Sequence, residues 1–507
     1  MGIPSYYTYL IKNHGKILEK FAGSPEHFYL DANSIIYDVV NSFPFEPFGK
    51  NDDEEICRTI IQKLEEYLAL VSATKSVTIA FDGVAPRAKL EQQRQRRFKS
   101  AYQNKVKKQI FKNKKYQISD FWDTAKITPG TPFMMMLTKM VKEKFRDIRV
   151  TSSDEDGEGE HKIFKIIRKK KFSETDRHII YGLDSDLIML AMLHLDITPN
   201  IFLFRETPHY IKTIDSSLDD NEKYLMNIQL LAETLLSDMN SNVFDYVFIS
   251  LMMGNDFMPH FPSLNIRTGG INKILEAYKL LGKDIITVNR SKKKIVIQWH
   301  IFREFLIQLS EHEDEYFVGE YLLRGRKERY TFPTTTPENK FRKFENIPST
   351  DRELEKYINP TKNGWEKRYY ETLVDDSPEA ISNQYLKAMA WNITYYVFGC
   401  MDYEWSYPYN YPPLLKDLCR VVLPKQTITW KKKENTITSL EQLCYVLPKN
   451  SLGIVPEVKK YVDPSLYVDD CTFTWAFCKY FWESHADLPI IDFEELRKRI
   501  SDLKNGI

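Results

Sequence analysis

A short apolar run ending in an acid recurs along the first 260 residues. Residues 28–30 lead to Asp31, 77–81 to Asp82 and 179–183 to Asp184 and Asp186, while 246–253 lead through Gly254 and Asn255 to Asp256. Runs of this length, separated by helix-like stretches, predict buried strands of a mainly parallel sheet covered on both faces. The expected fold is therefore α/β, a twisted parallel sheet flanked by helices. Ligands of such open sheets bind outside the carboxyl ends of the strands, so these acids should gather at one edge. A further acidic stretch, 154–162, follows the strand-like 148–151. Its alternating Gly and Glu would point Glu158 and Glu160 to a common side if the segment is extended.

One Asp at a strand end is explained by helix capping. Seven carboxylates at one edge, with no Cys or His cluster beside them, repel one another unless cations sit between them. The candidate metal-binding and catalytic set is Asp31, Asp82, Glu158, Glu160, Asp184, Asp186 and Asp256. Oxygen ligands without soft donors favour Mg²⁺ or Mn²⁺ over zinc. Two such ions, about 3.5–4 Å apart, suit in-line attack on a phosphodiester.

Charge sharpens this reading. Lys and Arg number 71 against 70 Asp and Glu, a net of +1, which argues against a uniformly basic nucleic-acid binder. Residues 87–115 nevertheless hold twelve basic residues and one acid, a net of +11 that leaves −10 for the rest. A solvated surface helix would account for such a run by itself. Lys89, Gln93, Arg96 and Arg97, however, fall at i, i+4, i+7 and i+8, on one face of a helix that starts after the turn ending in Pro86. Three cations and an amide on one face can hold a phosphate group. The residues thus describe a two-metal phosphodiesterase beside a phosphate-binding helix.

Longer motifs carry a resemblance. They are Met1-Gly2-Ile3-Pro4, Asp31-Ala32-Asn33-Ser34, DGVAPRAKLEQQRQRRF (82–98), Thr128-Pro129-Gly130-Thr131, GEGEHKI (157–163), YGLDSDLIML (181–190) and GNDFMPHFP (254–262). In the second half come Tyr385, Leu386, Ala390, Trp391, Tyr395, Tyr396, EWSYPYNYPP (404–413) and CKYFWESHADLPIID (478–492). On these motifs the chain resembles the Xrn family of 5′-to-3′ exoribonucleases. The resemblance implies a nuclease core like that of the PIN and flap nucleases, with a mainly helical second region packed on it. It implies the same seven acids as ligands of two Mg²⁺ (or Mn²⁺) ions, and Lys89, Gln93, Arg96 and Arg97 as a pocket for a 5′ monophosphate. It further implies a monomer that processively degrades single-stranded, 5′-monophosphorylated RNA to nucleoside 5′-monophosphates in RNA decay. Decapping factors are the candidate protein partners, and the expected location is cytoplasmic, with the nucleus as the alternative.

Two departures stand out. Tyr37 occupies the place of a His that stacks on the first base in the family, and the aromatic pair of the second region is represented by Tyr403 and Trp405, which core packing would explain equally well. The match ends near Asp492, without the family's long C-terminal extensions or zinc knuckle. A minimal core of this kind, rich in Ile, Lys, Asn and Tyr, suggests a large DNA virus or a protist as its source.

The expected organisation is a nuclease domain at 1–280, a connecting region at 281–380 and the second conserved region at 381–507. The longest stretch free of charged residues, 388–401, has 14 residues and is too short to span a membrane. Six cysteines form no CxxC pair, as expected of reduced thiols in an intracellular protein. Two alternatives remain open on sequence alone: a structure-specific flap nuclease, and an RNA-binding decay scaffold with a dead site.

Overall fold

The computed structural model describes residues 2–43, 52–111, 122–206, 211–219, 221–239, 241–428, 430, 433, 437–468 and 470–505. Met1 of the first motif and Lys112, Lys114 and Lys115 of the basic run lie outside them.

Seven strands form the central sheet: β1 (Leu18–Lys20), β2 (His27–Asp31), β3 (Ser76–Ala80), β4 (Arg149–Thr151), β5 (His178–Tyr181), β6 (Ile201–Arg205) and β7 (Tyr224–Asn227), in the order β1-β7-β6-β5-β2-β3-β4. From β6 through β4 every pairing is parallel, and β7 and β1 close the other edge antiparallel. β2 is central and buried throughout. Its side chains alternate between two apolar layers: Phe28 and Leu30 pack with Ile79, Ile179 and Tyr181 on one face, and Tyr29 packs with Ile180 and Leu203 on the other. A sheet buried on both faces needs apolar residues at consecutive positions, which is why these runs are continuous rather than alternating.

Two local expectations are corrected. Residues 246–253 are helical, in an α-helix Val243–Ser250 followed by a 3-10 turn Leu251–Met253. A buried apolar run of eight residues fits a helix as well as a strand, and here Asn242 decides it by accepting the Asp245 amide at 2.9 Å as the N-cap. Gly159 and Glu160 are not extended either, although Glu158 is. Helix Gly159–Lys169 begins there, with Glu158 at its N-cap and Glu160 in its first turn.

The basic segment forms the expected helix, Arg87–Ile110, directly after Pro86. The second half is mainly helical, and its buried helix Pro378–Phe398 joins a core cluster that runs from Ile3 to Phe477. That cluster draws on all three expected segments of the chain. No described helix is long and apolar enough to cross a membrane.

Candidate active site

The carboxyl ends of the parallel strands deliver the first acids. Asp31 is the last residue of β2 and also caps the following helix, accepting the Asn33 amide at 3.4 Å. Capping and site geometry are thus one placement. Asp82 lies just beyond β3, where Asn33 Nδ2 donates to it at 2.5 Å and the Gly159 amide at 2.7 Å. Asp184 and Asp186 follow β5, and Asp186 opens the helix Asp186–Met192.

Glu158 and Glu160 arrive from a neighbouring loop. The Gly83 amide donates to the Gly157 carbonyl at 2.9 Å and the Gly157 amide to that of Val84 at 2.8 Å, which clamps the acidic loop to the turn after β3. The buried Lys162 ammonium reinforces this by donating to the Phe81 and Ser152 carbonyls at 2.7 and 2.8 Å. Gly159 has to be glycine, since a Cβ there would stand 2.7 Å from Asp31 Oδ1. A Cβ on Gly2 would collide with the Asp186 carboxylate, which explains the glycine at that position.

Carboxylate oxygens of Asp31, Asp82 and Glu160 lie within 4.8 Å of one another. Glu158, Glu160 and a ring nitrogen of His161 form a second such group. Burial, with Asp82 and Asp184 nearby, holds the Asp31 carboxyl well above the usual carboxylate range. Burial, with Glu158 and Asp31 nearby, does the same to Glu160. Asp186 is pushed up to about 7 by burial and by Asp256, and its Oδ1 is buried with no hydrogen-bond partner among the described residues. Carboxylates forced together at such cost are an electrostatic demand for positive charge.

Lys89 meets part of that demand. Its ammonium lies 2.5 Å from Glu158 Oε2 and 2.7 Å from Asp256 Oδ2. Burial alone would lower the Lys89 pKa, but Asp256 and Glu158 outweigh it and raise it well above normal. Burial likewise opposes ionisation of Asp256, yet Lys89 holds that carboxyl well below its ordinary value. Among the described residues Lys89 and Arg96 are cations acting on these seven acids, fewer than would balance them, and the donor set is almost wholly oxygen. These residues fit a hard divalent cation.

The basic face meets the acids across one cavity of about 350 Å³. Asp31, Asp82, Glu158, Glu160 and Asp184 line one side, and Lys89, Gln93, Arg96 and Arg97 the other, with Tyr37 beside them. Arg97 Nη1 and Gln93 Oε1 are buried there without a hydrogen-bond partner among the described residues. Burial, with Arg96 adjacent, lowers the Arg97 pKa to about 10. Asp256 faces a neighbouring, larger cleft instead, and Arg96 borders both.

Tyr403 and Trp405 do not line that cavity. Trp405 is half-buried, with ring centroids 5.2 Å from Trp391 and 5.6 Å from Trp430. The Tyr403 carbonyl accepts the Arg87 amide at 2.7 Å, at the start of the basic helix. Sequence reasoning missed three supporting groups. Tyr395 donates to Glu158 Oε1 at 2.8 Å, Asn33 orients Asp82, and His161 stacks on Tyr395 with centroids 3.8 Å apart. All three stood inside quoted motifs, but neither spacing nor residue type tied Tyr395 to the acids.

Comparison with known proteins assigns the chain to a family. Residues 1–207 match the family described as XRN 5′-3′ exonuclease N-terminus, and residues 237–329 and 326–507 match the Xrn1 helical domain. A Drosophila melanogaster protein named 5′-3′ exoribonuclease 2 homolog is 26% identical over 94% of this chain and 65% of its own length. The Saccharomyces cerevisiae 5′-3′ exoribonuclease 1 is 25% identical over 90% of this chain and 40% of its own. The chain therefore spans about two-thirds or less of these relatives. Among solved structures, the catalytic core of Rad2 in complex with DNA substrate aligns at a TM-score of 0.34 with 13% identity, covering 73% of this chain and 99% of that one. With both of its regions matched in order along nearly the whole sequence, the chain belongs to the Xrn family.

Proposed function

We propose that this chain is a divalent-metal-dependent, processive 5′-to-3′ exoribonuclease that takes single-stranded RNA with a 5′ monophosphate and releases nucleoside 5′-monophosphates. One observation carries the reading: five carboxylates and the four-residue basic face line the same cavity, with Arg97 and Gln93 presenting unpartnered polar atoms beside them. The names of the two exoribonuclease relatives support RNA as the substrate.

Lys89, Gln93, Arg96 and Arg97 bind the terminal phosphate, which fixes the first phosphodiester against the acids. Tyr37 offers a flat ring to the first base. A cavity of about 350 Å³ is on the scale of one terminal nucleotide, which supports selection against a cap or a triphosphate. Asp31, Asp82, Glu158, Glu160, Asp184, Asp186 and Asp256 would hold two Mg²⁺ or Mn²⁺ ions, which would supply the Lewis-acid charge that phosphodiester hydrolysis requires.

The test is a time course on 3′-labelled RNA bearing a 5′ monophosphate, triphosphate or hydroxyl, with Mg²⁺ or with EDTA. Mononucleotide release only from the monophosphate and only with metal, without intermediates of graded length, is the expected result. Internal cuts, or equal rates on all three ends, would overturn the reading.

A further inference from the structure

A third cavity, of about 400 Å³, lies between β4, the acidic loop 154–156 and helix Gly159–Lys169. It shares no lining residue with the catalytic cavity or with the larger cleft beside it. Its size falls in the range of small-ligand pockets, roughly 300–1,000 Å³. Two of its lining side chains are buried polar groups with bonding capacity left over. Thr151 is 3% exposed, and its Oγ1 is buried without a hydrogen-bond partner among the described residues. A buried hydroxyl in that state is costly unless something pairs with it. Lys162 is 4% exposed and donates to the Phe81 and Ser152 carbonyls, which leaves one of the three ammonium donors uncommitted.

The rest of the lining is divided by charge. Arg149, Lys165, Lys169 and Lys170 are exposed and make no ion pair among the described residues. The helix dipole accounts for Lys169 and Lys170 at the C-terminal end, but not for Lys165 in mid-helix or for Arg149 on the edge strand β4. Lys165 and Lys169, at i and i+4, share one face of the helix. The loop supplies Asp154, Glu155 and Asp156, of which Glu155 is occupied locally by the Ser152 amide and hydroxyl at 3.0 and 3.4 Å. Counted with Lys162, the lining holds five cations against three acids, a net of +2. The cations and the spare hydroxyl suit a phosphate group, while ionised carboxylates, which only accept, suit hydroxyl donors.

We propose that this cavity is a second ligand site, for a small phosphate ester that carries hydroxyl donors and is about the size of a nucleoside monophosphate. Lys162, Lys165, Lys169 and Arg149 hold its phosphate together with the Thr151 hydroxyl, and Asp154 and Asp156 take its hydroxyls. Lys162 also joins the Phe81 carbonyl, next to Asp82, to the loop that leads to Glu158, so the ligand is gripped by the side chain that holds the acidic loop in place. The site does not depend on the exoribonuclease reading, since none of its residues lines the catalytic cavity.

The experiment irradiates the full chain in EDTA with 8-azidoadenosine 5′-monophosphate and maps the labelled peptides by mass spectrometry. Competition is measured with ribose 5-phosphate, inorganic phosphate and adenosine. Label within 149–156 or 162–170 is expected, and it should persist in Arg97→Ala, which weakens the catalytic cavity. Lys165→Glu combined with Lys169→Glu, both exposed and outside the catalytic machinery, should cut this labelling roughly tenfold, because two charge-assisted phosphate contacts are reversed. Thr151→Val should weaken labelling while leaving the urea midpoint unchanged or higher, since the hydroxyl has no partner to lose among the described residues. Ribose 5-phosphate should compete better than inorganic phosphate, and adenosine hardly at all. Labelling confined to the catalytic cavity, or unchanged in the double lysine variant, would overturn the site. Competition by inorganic phosphate equal to that by ribose 5-phosphate would overturn the hydroxyl-bearing ligand.

Discussion

Replacing Lys89 by Met tests whether the acids are held by the charge that the structure gives them. The Lys89 ammonium touches Glu158 and Asp256 at 2.5 and 2.7 Å, with all three groups buried. At an effective dielectric of about 20, each contact represents roughly 6 kcal/mol of attraction. Most of that offsets a desolvation cost of several kcal/mol per ion. Lys89→Met keeps the stem and removes the cation, so the attraction is lost while the carboxylates stay buried. The expected loss is about 3–5 kcal/mol, the range for breaking a buried pair from one side. Urea melts in EDTA should show this loss in full. In excess Mg²⁺ it should shrink to a small remainder, because a divalent ion at the same acids replaces the missing charge and stabilises the folded state by mass action. A Lys89→Met protein as stable as the parent in EDTA would refute the electrostatic account of the site. A deficit equal with and without Mg²⁺ would show that the acids do not take up the ion.

Three further outcomes follow from the same geometry. Asp186 has a folded pKa near 7 and an unfolded value near 4, so the folded state retains a proton that the unfolded chain has lost. Stability without metal should therefore fall as pH rises from about 4 to 7; Asp186→Asn should flatten that slope in EDTA melts, and an unchanged slope would place the titration elsewhere. Gly159→Ala puts a methyl 2.7 Å from Asp31 Oδ1 and 3.3 Å from the Ala80 carbonyl, so activity should drop at least about tenfold, a displacement worth roughly 1.4 kcal/mol or more in the transition state; parent-like rates would show that the position of Asp31 is not critical. Arg97→Ala should narrow the rate gap between 5′-monophosphate and 5′-hydroxyl RNA, since it removes the buried guanidinium whose Nη1 has no partner among the described residues, and an unchanged gap would move the phosphate pocket off this helix face.

Legibility of the site depended on how local each placement is. Asp31, Asp82 and Asp184 were readable because a run of buried β-strand fixes both its own conformation and the edge at which it ends. Glu158, Glu160 and Asp256 come to the acidic site on local structure other than the sequence led one to expect. For Asp256 the cause is the degeneracy of an eight-residue apolar run, which the Asn242 cap resolves toward helix. For the two glutamates it is the turn clamped by Gly83 and Gly157, whose hydrogen bonds join positions more than 70 residues apart. Helical spacing placed Lys89, Gln93, Arg96 and Arg97 on one face, and one cavity receives all four. Spacing could not show that Lys89 turns inward to Glu158 and Asp256, because a period defines a face and not what crosses to meet it.

That inward turn bears on how the site is built. Three cations at helical spacing are alike in charge, yet their surroundings separate them: Lys89 is pinned between two acids, while among the described residues Arg97 has an unpartnered nitrogen and Arg96, at the border of both cavities, has no hydrogen bond. A lysine suits the first position because its ammonium is a compact point charge able to bridge two carboxylates, whereas a planar guanidinium is matched to the oxygens of a phosphate. Exchanging the two residue types at 89 and 97 would keep the charge of the face and lose both functions. The double variant Lys89→Arg with Arg97→Lys should therefore be less stable in EDTA and indifferent to the RNA 5′ end, although its net charge is that of the parent.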